Sequence, residues 1–489
     1  MKALALLLAY LTTLAVAGDV AAKRLERFVD AFNSKDRAKV QAMVNAEFDP
    51  AMFKSRNAEA WANQTLAIAD NLAPIKVVKK VVETQTSVVA TIESGKGEKL
   101  AIRIDCSPQD PNKIIGVRLD ESVDNLLDRK PSKDYSVYTS LDDLAQTILS
   151  DSKVPAIAIA TIANGRLAST VKGVRKQGES GPVTLADRWL IGSNAKSMTS
   201  VLIATLIEEG KLNWDSKLSD LLPDIAMRDA YKTVTVEQLM QHMAGVPKDM
   251  TFTGTDVNRI VGDLKDLVAI RAAYAKDVLN RDPVGKPGEK FAYSNAGYSI
   301  LGHIAERIAK KPFPELLTER VFKPLGLSTA MVGAPGDDGM PSGKNQPHGH
   351  FKIPSGLTPG KLTGPLNHMM NPAGGGVAIS IEDMARYVEW HMKGLAGEKI
   401  ALLKPETVKR LHTPLPRPEG MEKYAAGWLF KEESGSTSHT HMGSDGSMVA
   451  LMSFFPKEKL VVVAIVNAGL EPPTIDVVKA VAKHEIKKG

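Results

Sequence analysis

The stretch "IGSNAKSMTSVLIATLIEEGKL", residues Ile191 to Leu212, opens with a hydroxyl and an ammonium at the start of a largely apolar segment. This pattern predicts a buried helix with Ser193 and Lys196 in its first turn. Side chains three positions apart lie on one face of a helix, so the two groups can touch. The unpaired N–H groups of a helix start stabilise negative charge there. We therefore predict a serine nucleophile with a lysine base; the alternative is a capping serine and a lysine that extends to solvent.

The Ser-x-x-Lys spacing alone is weak support, because the chain contains it at two other places. One pair lies at a helix end before a proline. The other falls within a predicted strand, where positions i and i+3 point to opposite faces. These pairs are Ser150/Lys153 and Ser169/Lys172. Only the pair at Ser193 begins a helix.

A Tyr-x-Asn motif occurs once, as Tyr293-Ser294-Asn295, directly before an apolar helical pattern. A tyrosine hydroxyl near a lysine can relay a proton, and an asparagine amide can orient a substrate carbonyl. The alternative reading is a turn without chemistry. Under the functional reading, Tyr293 would be a catalytic residue and Asn295 a substrate-binding residue.

A His-x-Gly motif also occurs once, as His441-Met442-Gly443, ahead of a C-terminal strand pattern. Glycine at this position lets a substrate backbone lie close to the strand edge. Two further stretches flank helices and are interpreted as architectural. They are "TVEQLMQHMAGVP" (235–247) and "NPAGGGVAISIEDMARYV" (371–388).

The 489-residue chain is long enough for two or three domains. Residues 18–123 predict a small α+β domain, with two helices broken at Asn33-Ser34 and four strand-like runs after them. Ser34 is the expected cap of the second helix. The stretch "AFNSKDRAKVQAMV" (31–44) resembles the nuclear-transport-factor-2-like (NTF2-like) domains. Residues 124–137 read as a polar linker.

The sequence pattern of residues 138–489 predicts a second domain, with strands at both ends and helices between them. This arrangement indicates one sheet assembled from the two termini. A turn is expected at Asn164-Gly165 between the first two strands. The glycine- and proline-rich stretch 333–365 is predicted to be a long loop.

The first 17 residues, "MKALALLLAYLTTLAVA", combine one lysine, a short apolar run and a small-x-small triplet. This layout predicts a secretory signal cleaved before Gly18, and hence a periplasmic or secreted protein without a membrane span after cleavage. The apolar run is short for a membrane anchor, which is the alternative. The net charge of +6 is dispersed along the chain, so we expect no nucleic-acid partner.

The ordered motifs Ser-x-x-Lys, Tyr-x-Asn and His-x-Gly resemble the serine β-lactamase/penicillin-binding-protein superfamily. The resemblance is closest to the class C β-lactamase-like branch, which includes D,D-carboxypeptidases, D-aminopeptidases and family VIII esterases. It covers about 137–468 and implies a mixed α+β transpeptidase fold, with an antiparallel sheet flanked by helices and an all-helical region. Supporting stretches are "VTLADRWLIGSNAKSMT", "LIEEGKLNWDSKLSDLLPD", "KPGEKFAYSNAGYSILGHIAE" and "FKPLGLSTAM".

The resemblance implies roles for the motif residues. Ser193 would be the acylated nucleophile, Lys196 its base, and Tyr293 the proton relay that later activates the hydrolytic water. Asn295 would face the substrate amide. The residues of the third motif would bind substrate. The backbone N–H groups of Ser193 and of Ser444, the residue after this motif, would form the oxyanion hole. These binding residues are His441, Gly443 and Ser444.

The third motif departs from the Lys-Thr-Gly typical of class C β-lactamases, because His441 stands where a permanent cation is usual. We therefore expect weak β-lactam hydrolysis and an ester, amide or D-peptide substrate, with no metal or cofactor. A non-turnover penicillin-binding or sensor protein on the same fold is the main alternative. A metal hydrolase is disfavoured because neither His439-x-His441 nor His348-x-His350 belongs to a His-Glu-x-x-His motif. An α/β-hydrolase is disfavoured because no Gly-x-Ser-x-Gly occurs.

Overall fold

The computed structural model describes the chain in several ranges. They are residues 19–54, 57–120, 123, 126, 133–247, 260, 262–333, 346–353, 356–360, 372–417, 421–433 and 435–486. The predicted signal segment and most of the predicted linker lie outside these ranges. The chain separates into two compact units, Met1–Lys133 with Pro418–Met421, and Asp134–Arg417 with Glu422–Gly489.

The first unit places helices ahead of a four-stranded sheet in the order β1-β2-β3-β4. All three strand pairings are antiparallel, which confirms the predicted meander. The elements are α1 Asp19–Ser34, α2 Arg37–Glu47, a 3-10 turn Pro50–Lys54, α3 Ala58–Leu72, β1 Lys76–Glu83, β2 Ser87–Glu93, β3 Lys99–Cys106 and β4 Ile114–Asp120.

The predicted cap of α2 was wrong by two residues. The side chain of Asp36 accepts the N–H of Lys39, so Asp36 is the N-cap. The hydroxyl of Ser34 instead donates to the carbonyl of Ala31 within α1. Lys35 between them adopts a left-handed φ of 51°, which separates the two helices and leaves the aspartate at the entry of the second.

The second unit is built on a seven-stranded sheet in the order β12-β13-β14-β15-β16-β5-β6. Its strands are β5 Ala156–Ala163, β6 Arg166–Gly173, β12 Tyr424–Ala425, β13 Trp428–Glu433, β14 Ser436–Ser444, β15 Val449–Phe455 and β16 Leu460–Val466. The C-terminal β16 pairs with the N-terminal β5 in antiparallel register, so one sheet is assembled from both ends of the domain, as predicted. Asn164 and Gly165, both at positive φ, make the turn between β5 and β6.

Short strands outside this sheet and the remaining helices complete the second unit. The short strands are β7 Trp189–Leu190, β8 Met331–Val332, β9 His350–Ile353, β10 Gly356–Pro359 and β11 Val377–Ile379. The helices are α4 Leu141–Ser152, α5 Ala195–Glu208, α6 Leu218–Leu221, α7 Asp229–Lys232, α8 Val236–Met240, α9 Leu267–Leu279, α10 Asn295–Ala309, α11 Phe313–Leu317, α12 Pro372–Gly375, α13 Ile381–Leu395, α14 Pro405–Leu411 and α15 Pro472–Ile486. A 3-10 turn, Gly192–Asn194, precedes α5, and a π-helical segment, Thr318–Phe322, follows α11.

Helices cover both faces of the large sheet. α13 packs on β5, β15 and β16 from one side, and α4 and α15 pack from the other. Every residue of β15 and β16 is buried, which explains why both read as continuous apolar runs rather than alternating patterns. The mixed α+β fold with a helical region is the one that the sequence predicted.

The expectation of a loop throughout 333–365 was wrong in its central part. Strands β9 and β10 form an antiparallel hairpin there. The rest of the stretch lies largely outside the described residues. Elsewhere in the part of the chain that the structure describes, no helix combines the length and apolar character needed to span a bilayer.

Candidate active site

The predicted nucleophile lies on a tight turn against the large sheet. Ser193 is the middle residue of the 3-10 turn Gly192–Asn194, and α5 begins directly after it. The turn is partly exposed at Ser193, whereas its two neighbours are buried. The chain therefore presents one hydroxyl at the end of a helix that is otherwise buried.

Lys196 touches the serine hydroxyl, as the i, i+3 spacing predicted. Its side chain is fully buried, and its Nζ lies 3.0 Å from Oγ of Ser193. The ammonium also donates to the carbonyl of Gly374 at 2.6 Å and to Oδ1 of Asn295. A lysine has three N–H donors, and these oxygens supply one acceptor for each. The capping alternative, with a lysine that extends to solvent, does not describe this geometry.

The Tyr-x-Asn segment lies against the same ammonium. Nζ of Lys196 is 4.9 Å from the centroid of the Tyr293 ring. Asn295 is the first residue of α10, and Ser294 caps this helix by accepting the N–H of Gly297 at 3.0 Å. The cap fixes where α10 starts, and so places the residues on either side of it at Lys196.

The third motif meets the nucleophile turn backbone to backbone at the end of β14. A Cβ added to Gly443 would lie 1.9 Å from the carbonyl oxygen of Ile191 and 2.7 Å from the amide nitrogen of Ser193. A Cβ added to Gly192 would lie 2.4 Å from the amide nitrogen of Ser444. Both glycines are therefore needed for close approach, which brings the peptide N–H groups of residues 193 and 444 to one place.

His441 forms part of a ring cluster beside Tyr293. Its ring centroid is 6.4 Å from that of Tyr293, and its Nε2 is 3.3 Å from the hydroxyl of Tyr424. Burial, followed by the charge of Lys196, lowers the pKa of His441 to about 3. The imidazole is therefore neutral near pH 7, unlike the lysine of a Lys-Thr-Gly motif.

The structure adds His242, which the sequence analysis placed in an architectural stretch. Its Nδ1 accepts the N–H of Ser294 at 3.1 Å, and its carbonyl accepts the N–H of Ala292 at 2.8 Å. The ring lies 4.3 Å from the ring of Tyr293. Burial, followed by the charge of Lys196, holds the pKa of His242 well below its usual range. This histidine thus grips the backbone on both sides of Tyr293.

The second stretch interpreted as architectural also reaches the site, through the carbonyl of Gly374. A backbone carbonyl leaves no mark in side-chain identity, so spacing rules had no means of finding it. The unusual feature at His242 is a histidine at a left-handed φ of 55°, which is visible only in the structure. Among the described residues, no group of three or more His, Cys, Asp and Glu side chains is arranged to hold a metal ion.

Comparison with known proteins places this geometry in a family. The family described as Beta-lactamase matches residues 141–483, a span that includes every candidate site residue. Penicillin-binding protein 4 of Amycolatopsis lactamdurans is 26% identical over 328 residues, which make up 65% of this chain and 82% of that protein. The family match leaves out residues 18–123, so their resemblance to NTF2-like domains stays a prediction.

Two solved structures share the fold. The octameric penicillin-binding protein homologue from Pyrococcus abyssi is 26% identical with a TM-score of 0.58, over 70% of this chain and 76% of that chain. The D-amino acid amidase from Ochrobactrum anthropi SV3 is 19% identical with a TM-score of 0.56, over 71% of this chain and 99% of that chain. Because the family match spans more than half of the sequence, this chain belongs to the beta-lactamase family.

Proposed function

We propose that the protein is an exported serine hydrolase that cleaves an ester or amide bond through an acyl-enzyme on Ser193. The observation that carries the proposal is the 3.0 Å contact between Nζ of Lys196 and Oγ of Ser193. In the form proposed to react, Lys196 is uncharged: its two N–H groups donate to the Gly374 carbonyl and to Asn295, and its lone pair faces the hydroxyl of Ser193 and accepts that proton. Family membership supports the reaction class.

In the proposed acylation, Oγ of Ser193 attacks the substrate carbonyl while its proton passes to Lys196. The backbone N–H groups of Ser193 and Ser444 stabilise the oxyanion of the tetrahedral intermediate. Tyr293, beside the lysine, passes a proton to the leaving group. In deacylation the deprotonated tyrosine takes a proton from water, which attacks the acyl-enzyme. Lys196 returns its proton to Oγ of Ser193 as the acyl bond breaks, so both groups end in their starting forms.

We propose a substrate that does not need a carboxylate group of its own for binding to the third motif, His441-Met442-Gly443. His441 is neutral near pH 7, so it offers a hydrogen bond rather than a charge to that part of a substrate. Asn295 would orient the substrate amide. We therefore propose short esters, D-amino acid amides and D-peptides as substrates, with β-lactams hydrolysed poorly.

A fluorophosphonate probe tests the nucleophile. The wild-type protein should be labelled covalently, and Ser193→Ala should abolish labelling. Ser150→Ala, in another Ser-x-x-Lys pair, is the matched control and should be labelled as the wild type is. Labelling that survives in Ser193→Ala would refute the assignment.

Steady-state kinetics separate the enzyme from the sensor alternative. Sustained release of p-nitrophenol from short p-nitrophenyl esters supports the hydrolase, whereas a single burst without turnover supports an acylated sensor. Lys196→Ala should slow acylation about 10²-fold or more, as the loss of a positioned base does. Acylation at the wild-type rate in this variant would leave Lys196 with a structural role only.

A further inference from the structure

Three buried histidines from separate elements form a hydrogen-bonded chain within the second unit. Nδ1 of His439, on β14, lies 2.9 Å from Nδ1 of His412, which follows α14. Nε2 of His412 lies 3.0 Å from Nδ1 of His391, on α13. The mechanism proposed above uses none of them.

The chain continues to the turn that carries the nucleophile. Nε2 of His391 lies 2.9 Å from the hydroxyl of Tyr387, which donates to Oγ of Ser197 at 3.0 Å. Oγ of Ser197 donates to the carbonyl oxygen of Asn194 at 2.8 Å. We call the five side chains from His439 to Ser197 the histidine chain. The last hydrogen bond of the histidine chain, from Ser197, goes to the backbone carbonyl of Asn194, the residue directly after Ser193.

The terminal carbonyl fixes the direction of every bond. A carbonyl only accepts, so Ser197 donates to it and must accept from Tyr387. Tyr387 then accepts from Nε2–H of His391, and the Nδ1 of that ring accepts from His412. The same logic makes His439 the first donor. His391 and His412 each accept at one ring nitrogen and donate from the other, so both are neutral with one defined tautomer, and His439 donates from Nδ1.

The surroundings agree with neutral rings. The ring of Trp428 lies 5.0 Å from that of His391 and 5.2 Å from that of His412. Burial lowers the pKa of His391 to about 3 and that of His439 to about 4, and protonation of one ring would further lower the pKa of its neighbours.

The direction of these hydrogen bonds also shows that the histidine chain does not deliver a proton to Ser193. A proton that enters at His439 stops at the carbonyl of Asn194, which passes none to Ser193. The backbone of Gly427 also packs closely against Ser197, because a Cβ on Gly427 would lie 2.5 Å from the amide nitrogen of Ser197. The chain is thus built to hold the turn rather than to conduct.

We propose that the histidine chain is a positioning element, which acts through Tyr387 and Ser197 to hold the Asn194 carbonyl and so the turn that carries Ser193. This inference rests on the proposed function for its effect on turnover. Its effect on the local stability of the turn is independent of that function, and so allows the two to be tested apart.

The substitution Tyr387→Phe tests the proposal, because it removes one oxygen from the middle of the histidine chain and keeps the ring. The matched control is Tyr231→Phe, since Tyr231 is fully buried and its hydroxyl has no hydrogen-bond partner among the described residues. Ser197→Ala breaks the next link with a smaller change, and carries the test if Tyr387→Phe does not fold.

Two measurements are made on the full chain at pH 7.5. Hydrogen exchange of peptides that contain residues 192–197 should accelerate about tenfold in Tyr387→Phe and Ser197→Ala, and kcat for a p-nitrophenyl ester should fall about tenfold with KM unchanged. Tyr231→Phe should match the wild type in both. A merely structural role would lower Tm without changing kcat.

Unchanged exchange at residues 192–197 in both variants would overturn the positioning role, as would changed exchange with kcat intact in an active enzyme. If the wild-type protein is neither labelled at Ser193 nor active, the proposed function fails. The exchange result then decides by itself whether the histidine chain holds the turn.

Discussion

Lowering the pH from 7.5 to 5.5 should destabilise the second unit strongly, because at least five of the histidines that the structure describes there are buried in neutral form. Burial is the largest cause of the lowered pKa at each position, and the pKa falls to about 3 at His391 and His441 and to about 4 at His439. The five are His242, His391, His412, His439 and His441. In the unfolded chain each returns to an ordinary pKa near 6.5.

The magnitude follows from proton linkage. Below pH 6.5 the unfolded chain binds protons at these histidines and the folded protein does not, so falling pH favours unfolding. Between pH 7.5 and 5.5 each histidine removes about 1.4 kcal/mol from the free energy of unfolding, and five together remove about 7 kcal/mol. That loss is comparable to the whole stability of a typical domain. Carboxylates whose pKa is lowered in the folded state act in a separate window, because their contribution is lost only as the pH falls below about 5.

Urea unfolding at pH 7.5, 6.5 and 5.5, followed by tryptophan fluorescence, measures the effect. Four of the five tryptophans lie in the second unit and report its transition: Trp189, Trp214, Trp390 and Trp428. His391→Asn should reduce the pH-dependent loss by about 1.4 kcal/mol, whatever its stability at pH 7.5. A free energy of unfolding that changes by less than about 2 kcal/mol across this range would show that the rings are not held neutral, and would refute the reasoning.

Three further substitutions test individual contacts. Glu306→Gln removes the negative charge from the fully buried ion pair of Arg271 and Glu306 and should cost about 3–5 kcal/mol in urea unfolding; a cost below about 1 kcal/mol would contradict a buried ion pair. Gly443→Ala pushes a methyl group into the nucleophile turn and should slow fluorophosphonate labelling about 10²-fold, whereas Gly181→Ala, which meets nothing within 4 Å, should not. His242→Asn keeps an acceptor near the Nδ1 position, and asparagine tolerates positive φ, so this variant should retain a higher kcat than His242→Phe. A higher kcat in His242→Phe would show that the ring of residue 242, and not its nitrogen, supports Tyr293.

The sequence predicted those features that depend on periodicity and local chemistry. Continuous apolar runs at β15 and β16 predicted buried strands, and their position at the far end of the domain from β5 predicted a sheet closed by both termini. The contact between Ser193 and Lys196 was predicted from their spacing at a helix start, although Ser193 lies in the 3-10 turn just before α5. Assigning Tyr293 and Asn295 to the same place needed the resemblance, because no spacing rule joins segments about a hundred residues apart.

The remaining features depend on tertiary contacts that one sequence does not encode locally. His242 acts through a ring nitrogen that bonds the amide of Ser294, and Gly374 acts through a carbonyl. The cap is Asp36 in place of Ser34, and the left-handed backbone of Lys35 between them is not readable from residue identity. The histidine chain is likewise assembled by four segments distant in sequence: α5, α13, the residue after α14, and β14.

The polar residues of α5 explain how a helix buried on every side keeps one orientation. Apolar contacts have little directional preference, so they do not by themselves fix the rotation of such a helix. Its hydroxyl groups form hydrogen bonds with different neighbours. Ser197 accepts from the hydroxyl of Tyr387, and Thr199 donates to the carbonyl of Ala373 at 2.8 Å. The hydroxyl of Ser200 lies 3.2 Å from that of Tyr298. Each bond would be lost at a cost if the helix rotated, because a buried polar group without a partner is unfavourable. These bonds therefore set the angle at which Lys196 leaves the helix, and with it the contact to Ser193 on which the proposed chemistry depends.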